Sequence, residues 1–323
     1  TLPRKNYTNI TMKVKSIKIG AYSTDNNVFL APLAGFSDSA MREICLSYGA
    51  GLTFTEMVSA KGLIYGDEKT TELLRPAKGE KLKAAQIFGS DPVIMRRAIE
   101  ETPLSSFDII DINFGCPMPK IYLNGDGSAL LAAPNKAEKI VAECKKSGKP
   151  ITAKMRIGLT REKIVGVDFA KALEQGGADM ITVHGRTRDQ IYAGEVDFEE
   201  IAKIKNAVKV PVIANGGVFS VGDAETLMSA TGADGIMLAR GALEKPWLFS
   251  EILGLPVSVD KKQLIFRHID LLKEVYPDKV VAKLFRKQLC LYLKGEKNAN
   301  MLKNKILTLT DTDEVKKELN EFF

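Results

Sequence analysis

The sequence predicts an α/β fold: a (β/α)8 TIM barrel followed by a small C-terminal all-α helical domain. Three observations carry this. Short apolar runs alternate with longer helical patterns from residue 28 to about residue 252. Most runs are nearly continuous, as in parallel strands buried on both faces. Beyond residue 260 only helical periodicity remains.

The strands are read, in order, at 28–35, 52–59, 83–89, 109–117, 151–158, 180–186, 211–218 and 235–241. Helical patterns lie between them at 37–49, 91–101, 134–148, 161–177, 198–208 and 221–232. Several open with Ser, Asp or Pro and close on Gly, which are capping signals. Alternating elements imply a parallel sheet, and eight units over roughly 220 residues fit a closed barrel. GLPVSVD (254–260) reads as a linker, and LIFRHIDLLKEVY (264–276) and KVVAKLFRKQLCLYL (279–293) as helices. The expected organisation is a basic N-terminal segment at 1–24, a catalytic barrel at 25–253 and a helical domain at 254–323. Residues 1–11 read as a leader or an appended remnant, Met12 being a candidate start.

A chain of 323 residues with 45% hydrophobic residues can bury a large core without staples. Charged residues break every apolar run before about 18 residues, so no transmembrane helix is expected. Basic residues near the N-terminus precede no apolar stretch, so no secretory signal is read. The four cysteines, Cys45, Cys116, Cys144 and Cys290, lie far apart without a CxxC pair. That argues against a disulfide framework or a zinc site and for a reducing cytoplasm. The net charge of +6 is uneven: residues 1–24 carry +5 and residues 279–305 carry +7. A basic excess at the ends bears on polyanionic partners.

Barrel chemistry collects at the C-terminal ends of the strands. Those positions hold Glu56, Gln86, Asn113 with Cys116, Lys154 with Arg156, His184 with Arg186, Asn215 and Arg240. Asn215-Gly216-Gly217 and Ala239-Arg240-Gly241 allow backbone N–H groups to approach a phosphate, and Arg240 can add charge. Cys116, between Gly115 and Pro117, presents a thiol that can act as acid, base or nucleophile. Lys154 suits either a Schiff base or a cationic partner for an electron-rich ring. His184 is read as functional and His268, in the helical tail, as structural. GDGS (125–128) reads as a mobile glycine loop that opens a helix at 126–133.

These stretches resemble the tRNA-dihydrouridine synthases: APLAGFSD (31–38), DINFGCPMPKI (111–121), GDGSALL (125–131), KMRIG (154–158), HGRTRDQIYAG (184–194), NGGV (215–218) and LARGAL (238–243). The resemblance implies FMN at the barrel mouth and NADPH as reductant. The flavin would be held by the backbone at Pro32, Leu33, Ala34 and Gly35, with Gln86, Lys154, His184, Asn215, Gly216, Gly217, Ala239, Arg240 and Gly241. Cys116 would be the general acid that reduces the C5=C6 bond of tRNA uridine. Asn113, Arg156 and Arg186 would face the substrate. Lys283, Arg286 and Lys287, in the basic tail, would hold tRNA phosphates. No metal and no membrane partner is expected. The chain departs from the family pattern at Gly217, Asp126 and Phe198, and none of these removes a catalytic group. The NGG turn is also similar to dihydroorotate dehydrogenases, which keeps a flavin barrel acting on a free small molecule as the alternative.

Overall fold

The computed structural model describes residues 14–323, so Arg4, Lys5, Lys13 and the 1–11 segment lie outside the described residues. Eight parallel strands form one curled sheet: β1 (Val28–Leu30), β2 (Val58–Ser59), β3 (Ala84–Phe88), β4 (Ile109–Phe114), β5 (Ile151–Gly158), β6 (Met180–Thr187), β7 (Val212–Asn215) and β8 (Gly235–Leu238). The order β1-β8-β7-β6-β5-β4-β3-β2 is that of sequential right-hand neighbours around a barrel. Parallel bridges Phe29–Leu52 and Phe54–Ala84 join the two edges. The strand expected at 52–59 is thus interrupted. Thr55 donates to the Glu56 carbonyl, and the Glu56 carboxylate accepts from Gly35 N–H instead of following the ladder.

The barrel interior is apolar at its N-terminal end: Phe29, Phe54, Ile109, Met180, Ile213 and Met237 pack together. Ile17 and Ile19 join them from a hairpin, Lys18–Ile19 with Tyr22–Ser23, and close that end. Charge counting alone did not foresee that plug. Lys15, from the same basic segment, pairs with Asp234 at 3.0 Å rather than standing free.

The outer helices are α1 (Ser39–Ser47), α2 (Pro92–Glu101), α3 (Pro134–Lys145), α4 (Gly166–Gln175), α5 (Phe198–Ala207) and α6 (Val221–Thr231). Asp38, Asp91, Asp197 and Ser220 cap four of them, each side chain accepting an N–H three residues on. Helix α4 begins five residues later than the periodicity suggests, because Gly158 and Ile164 form an antiparallel bridge first. Two short helices, α7 (Arg240–Glu244) and α8 (Leu248–Ile252), lead to α9 (Lys261–Lys273), α10 (Asp278–Tyr292), α11 (Ala299–Ile306) and α12 (Thr312–Phe322). These last four have their own apolar cluster, including Leu264, Ile269, Phe285 and Leu319, which extends to Ile44 of α1 and Trp247. His268 lies inside it, its Nδ1 2.9 Å from the Tyr292 hydroxyl, and burial lowers its pKa to about 3. Among the described residues no helix is long and apolar enough to cross a membrane.

Candidate active site

Parallel pairing places the polar residues of successive strands at one height. Gln86 stands opposite Asp111, Asn113 opposite Lys154, Arg156 opposite His184, and His184 opposite Asn215. Around the C-terminal ends of these strands lies a cavity of about 420 Å³. Its wall includes Pro32, Leu33, Ala34, Gln86, Asn113, Cys116, Lys154, Arg156, His184, Arg186, Asn215, Gly216, Gly217, Ala239, Arg240 and Gly241. Four cations face this cavity and no carboxylate lines it. A space of that charge is suited to an anionic or electron-rich ligand.

Glycine makes one side of the cavity possible. A Cβ on Gly241 would come within 2.2 Å of the Val218 carbonyl oxygen. Gly216 and Gly217 have φ of +127° and +75°, a region that glycine alone enters freely. Backbone can therefore approach a bound anion closely at this turn.

Lys154 Nζ lies 3.2 Å from Asn215 Oδ1, and Asn215 in turn donates to the Met237 carbonyl at 2.7 Å. Burial, with Arg156 beside it, lowers the Lys154 pKa to about 8. His184 is held well below its usual value by burial and by the charges of Lys154, Arg156, Arg186 and Arg240, so it is neutral at pH 7. A neutral imidazole among cations can accept or donate a hydrogen bond without adding charge.

Cys116 is 8% exposed and lines the cavity. Burial pushes its thiol up, against the Met118 N–H and the Arg156 and Lys154 charges, so the sulfur is protonated at neutral pH. The glycine loop at 125–128 touches this residue. Ser128 donates to the Cys116 carbonyl at 2.7 Å, and a Cβ on Gly127 would come 3.1 Å from the Cys116 Cβ. Residues 127–132 form a 3-10 helix rather than an α-helix. The other cysteines differ: Cys45 and Cys144 are fully buried in the core.

Several expected contacts take another form. Arg156 is in the wall, but its guanidinium donates to three backbone carbonyls, Gly115 at 2.9 Å, Thr187 at 2.8 Å and Ile191 at 2.8 Å. Arg186 donates to Gly194 at 2.9 Å. Both arginines thus hold the 188–194 loop, leaving fewer N–H groups for a substrate. Ile191 in that loop has φ +50°, unusual for a β-branched residue. Beside it Tyr192 is half exposed over the cavity, 5.0 Å from the Arg240 guanidinium. Sequence reasoning missed Tyr192, Phe219, Phe36 and Met57 in the wall, although Tyr192 sits in a quoted motif.

Gly35 does not line this cavity. Its positive φ turns the loop so that its N–H meets Glu56, and it faces a second cavity of about 560 Å³ under α10. Lys287 borders it too, exposed, with its Nζ 4.8 Å from the Phe36 ring centroid. Arg286 turns into the helical domain and donates to the Leu309 carbonyl at 2.6 Å. Of the three expected tail contacts, Lys283 and Lys287 stand exposed and Arg286 is half-buried. Among the described residues no group of three or more His, Cys, Asp or Glu side chains gathers as a metal site.

Polar groups collected at this end of a parallel barrel mark an enzyme, and the thiol and cation-lined cavity supply its chemistry. The chain is an α/β-barrel enzyme. Residues 29–323 match the family model described as Dihydrouridine synthase (Dus). A "Probable tRNA-dihydrouridine synthase" of Helicobacter pylori is 39% identical over 304 residues, covering 92% of each chain. "tRNA-dihydrouridine synthase B" of Pasteurella multocida is 35% identical, covering 95% of this chain and 96% of the relative. The chain belongs to the dihydrouridine synthase family and so to the oxidoreductases. Among solved structures, histamine dehydrogenase from Rhizobium sp. 4-9 shares the barrel fold, with TM-score 0.55 and 17% identity. That match covers 79% of this chain and half of the larger one.

Proposed function

We propose that this chain reduces the C5=C6 bond of uridine in tRNA, with FMN as resident cofactor and NADPH as reductant. One observation carries the reading: a buried, protonated thiol shares a cavity with four cations and a glycine turn, and no carboxylate intrudes. The flavin phosphate fits the turn at Gly216, Gly217, Arg240 and Gly241. The ring edge that gains negative charge on reduction fits Lys154, with Gln86, Asn215 and neutral His184 around it.

Reduced FMN, when bound, would supply the hydride that adds to uracil C6. Cys116 Sγ–H then gives its proton to C5, so that one hydride and one proton saturate the double bond. Asn113, Arg156 and Arg186 shape the wall beside the thiol through the backbone contacts they hold. A uridine in folded tRNA must leave its stack to enter, at a cost of a few kcal/mol. The helical domain at 254–323 is assigned to tRNA docking, its exposed lysines meeting phosphates. Four unpaired cysteines suit a reducing cytoplasm.

The test is a visible spectrum of the purified protein, followed by reoxidation of its reduced flavin with tRNA and with free uridine. Rapid reoxidation by tRNA alone is expected. A colourless protein that takes up no flavin overturns the reading, and equal rates with free uridine favour a small-molecule substrate.

A further inference from the structure

We propose that Asp111 is a positioning residue: it sets the direction of the Gln86 and Asn113 amides and through them holds the Cys116 turn. The inference rests on the reading of Cys116 as proton donor.

Asp111 is 1% exposed on β4 and does not line the cavity. Its ionised carboxylate can only accept hydrogen bonds. One oxygen accepts from Gln86 Nε2 at 2.6 Å, and the other from Thr152 Oγ1 at 2.6 Å. With its NH2 drawn to Asp111, Gln86 must turn its carbonyl oxygen to Asn113, whose Nδ2 donates to it at 2.8 Å. Asn113 Oδ1 is then left to accept from the N–H groups of Gly115 at 3.1 Å and Cys116 at 2.8 Å.

The relay has one polarity. A pure acceptor stands at one end and two backbone donors stand at the other. Reversing either amide sets NH2 against N–H or oxygen against carboxylate, leaving buried polar groups unpaired. Strand register supplies the alignment, since Asp111 lies opposite Gln86 on one side and Thr152 on the other. Burial raises the Asp111 pKa to about 6, against the hydrogen bonds from Thr152 and Gln86 and the charge of Lys154, which favour the ionised carboxylate. At neutral pH the acceptor form prevails.

Four variants test this. Asp111→Leu removes the acceptor and keeps the branched four-atom outline, with methyl groups bulkier than the carboxylate oxygens. Asp111→Asn keeps an oxygen for Gln86 if its NH2 faces the Thr152 hydroxyl, which can accept. Thr152→Val leaves Asp111 accepting from Gln86. The double variant, Asp111→Asn with Thr152→Val, leaves the new amide without a preferred direction. Flavin content, reduction by NADPH, reoxidation by tRNA and alkylation of Cys116 by iodoacetamide are measured for each.

We expect reoxidation about 100-fold slower in Asp111→Leu and about tenfold slower in the double variant, with each single conservative change within about threefold. Because Gln86 also borders the flavin site, some flavin loss is expected in Asp111→Leu, and rates are taken per bound flavin; reduction should stay within about threefold of wild type. The Cys116 alkylation rate should shift several-fold in the same two variants. Equal slowing of both half-reactions per bound flavin makes Asp111 merely structural. A double variant with wild-type reoxidation and alkylation also overturns the proposal, even if Asp111→Leu fails to fold. If wild-type flavin is not reoxidised by tRNA, the functional reading fails, and the alkylation rates still decide the relay.

Discussion

Two cavities meet at Phe36 and have opposite character. The first, at the strand ends, presents four cations and no carboxylate. The second, between the barrel loops and α9–α10, is lined by Asp38, Glu56 and Glu72 with Lys69 and Lys287. Its volume is the larger of the two, about 560 Å³ against about 420 Å³. Yet two of its carboxylates, both half-buried, already have partners in the fold: Asp38 accepts from Met41 N–H at 2.9 Å to cap α1, and Glu56 holds Gly35 N–H. Burial raises the pKa of both acids, so perturbed ionisation alone does not mark a catalytic centre here. What distinguishes the first cavity is that a thiol, a lysine and a glycine turn line open space with no carboxylate beside them.

The largest effect that would break this contrast is on Cys116. Cys116→Ala should keep the flavin spectrum and lower turnover on tRNA by about 10²–10⁴-fold, the range for losing a general acid. Near-normal dihydrouridine formation in the assay would remove the proton-donor role. The next is on the glycine turn. Gly241→Ala places a Cβ 2.2 Å from the Val218 carbonyl, so the turn must open. The expected result is at least about a tenfold loss of bound flavin, with overpacking of about 1–3 kcal/mol in the melting transition. Full flavin occupancy would mean that the phosphate sits elsewhere.

Both positions were legible in the sequence, because motifs that present function depend on residue type. A Gly-Cys-Pro turn and an Asn-Gly-Gly turn are readable wherever they fall. The barrel was legible for a related reason, since doubly buried strands show as apolar runs. Other features depend on direction, which spacing does not reveal. Arg156 lines the cavity as expected of a residue near the substrate, but its three carbonyl contacts come from segments distant in sequence. The hairpin plug was hidden because Ile17 and Ile19 are two residues among basic neighbours. In the tail, charge counting gave +7 over 279–305. It could not show that Lys294 pairs with Glu244, Lys305 with Glu318, or Arg286 with a carbonyl.

Those pairings narrow the proposed docking face to lysines without such partners. Lys279 and Lys283 on α10, which roofs the second cavity, are exposed. Reversing both to Glu should weaken tRNA binding about tenfold at physiological salt and flatten the salt dependence by about one unit of log–log slope per lost phosphate contact. Reversing Lys305 should do less, since Glu318 already shares its charge. Equal losses in a filter-binding titration would return the docking role to bulk charge.

A smaller, several-fold effect is expected from pH. Lys154, at about 8, is cationic below that pH and neutral above it. Activity that needs the cation should fall as pH rises through about 8, while the Cys116 thiol, shifted upward, stays protonated over that range. Stability runs the other way. Because the folded state lowers this pKa, the unfolded chain binds more protons between about 8 and the ordinary lysine value of 10.5, and the lysine's contribution to stability rises with pH across that window. Lys154→Met should abolish both trends. A pH–rate profile unchanged in that variant would assign the limb to another group.

The smallest effect belongs to the second cavity. Glu56→Gln keeps an acceptor for Gly35 N–H and removes a charge that faces Lys287 and Asp38. If the carboxylate serves only the loop, flavin content and turnover on tRNA should stay within about twofold. Stability should be nearly unchanged, because a hydrogen bond to an amide replaces one to a buried carboxylate whose charge costs desolvation. A tenfold fall in turnover with flavin retained would mean instead that the acidic cavity takes part in the reaction. The boundary at Phe36 would then divide one functional site rather than separate a site from a piece of scaffold.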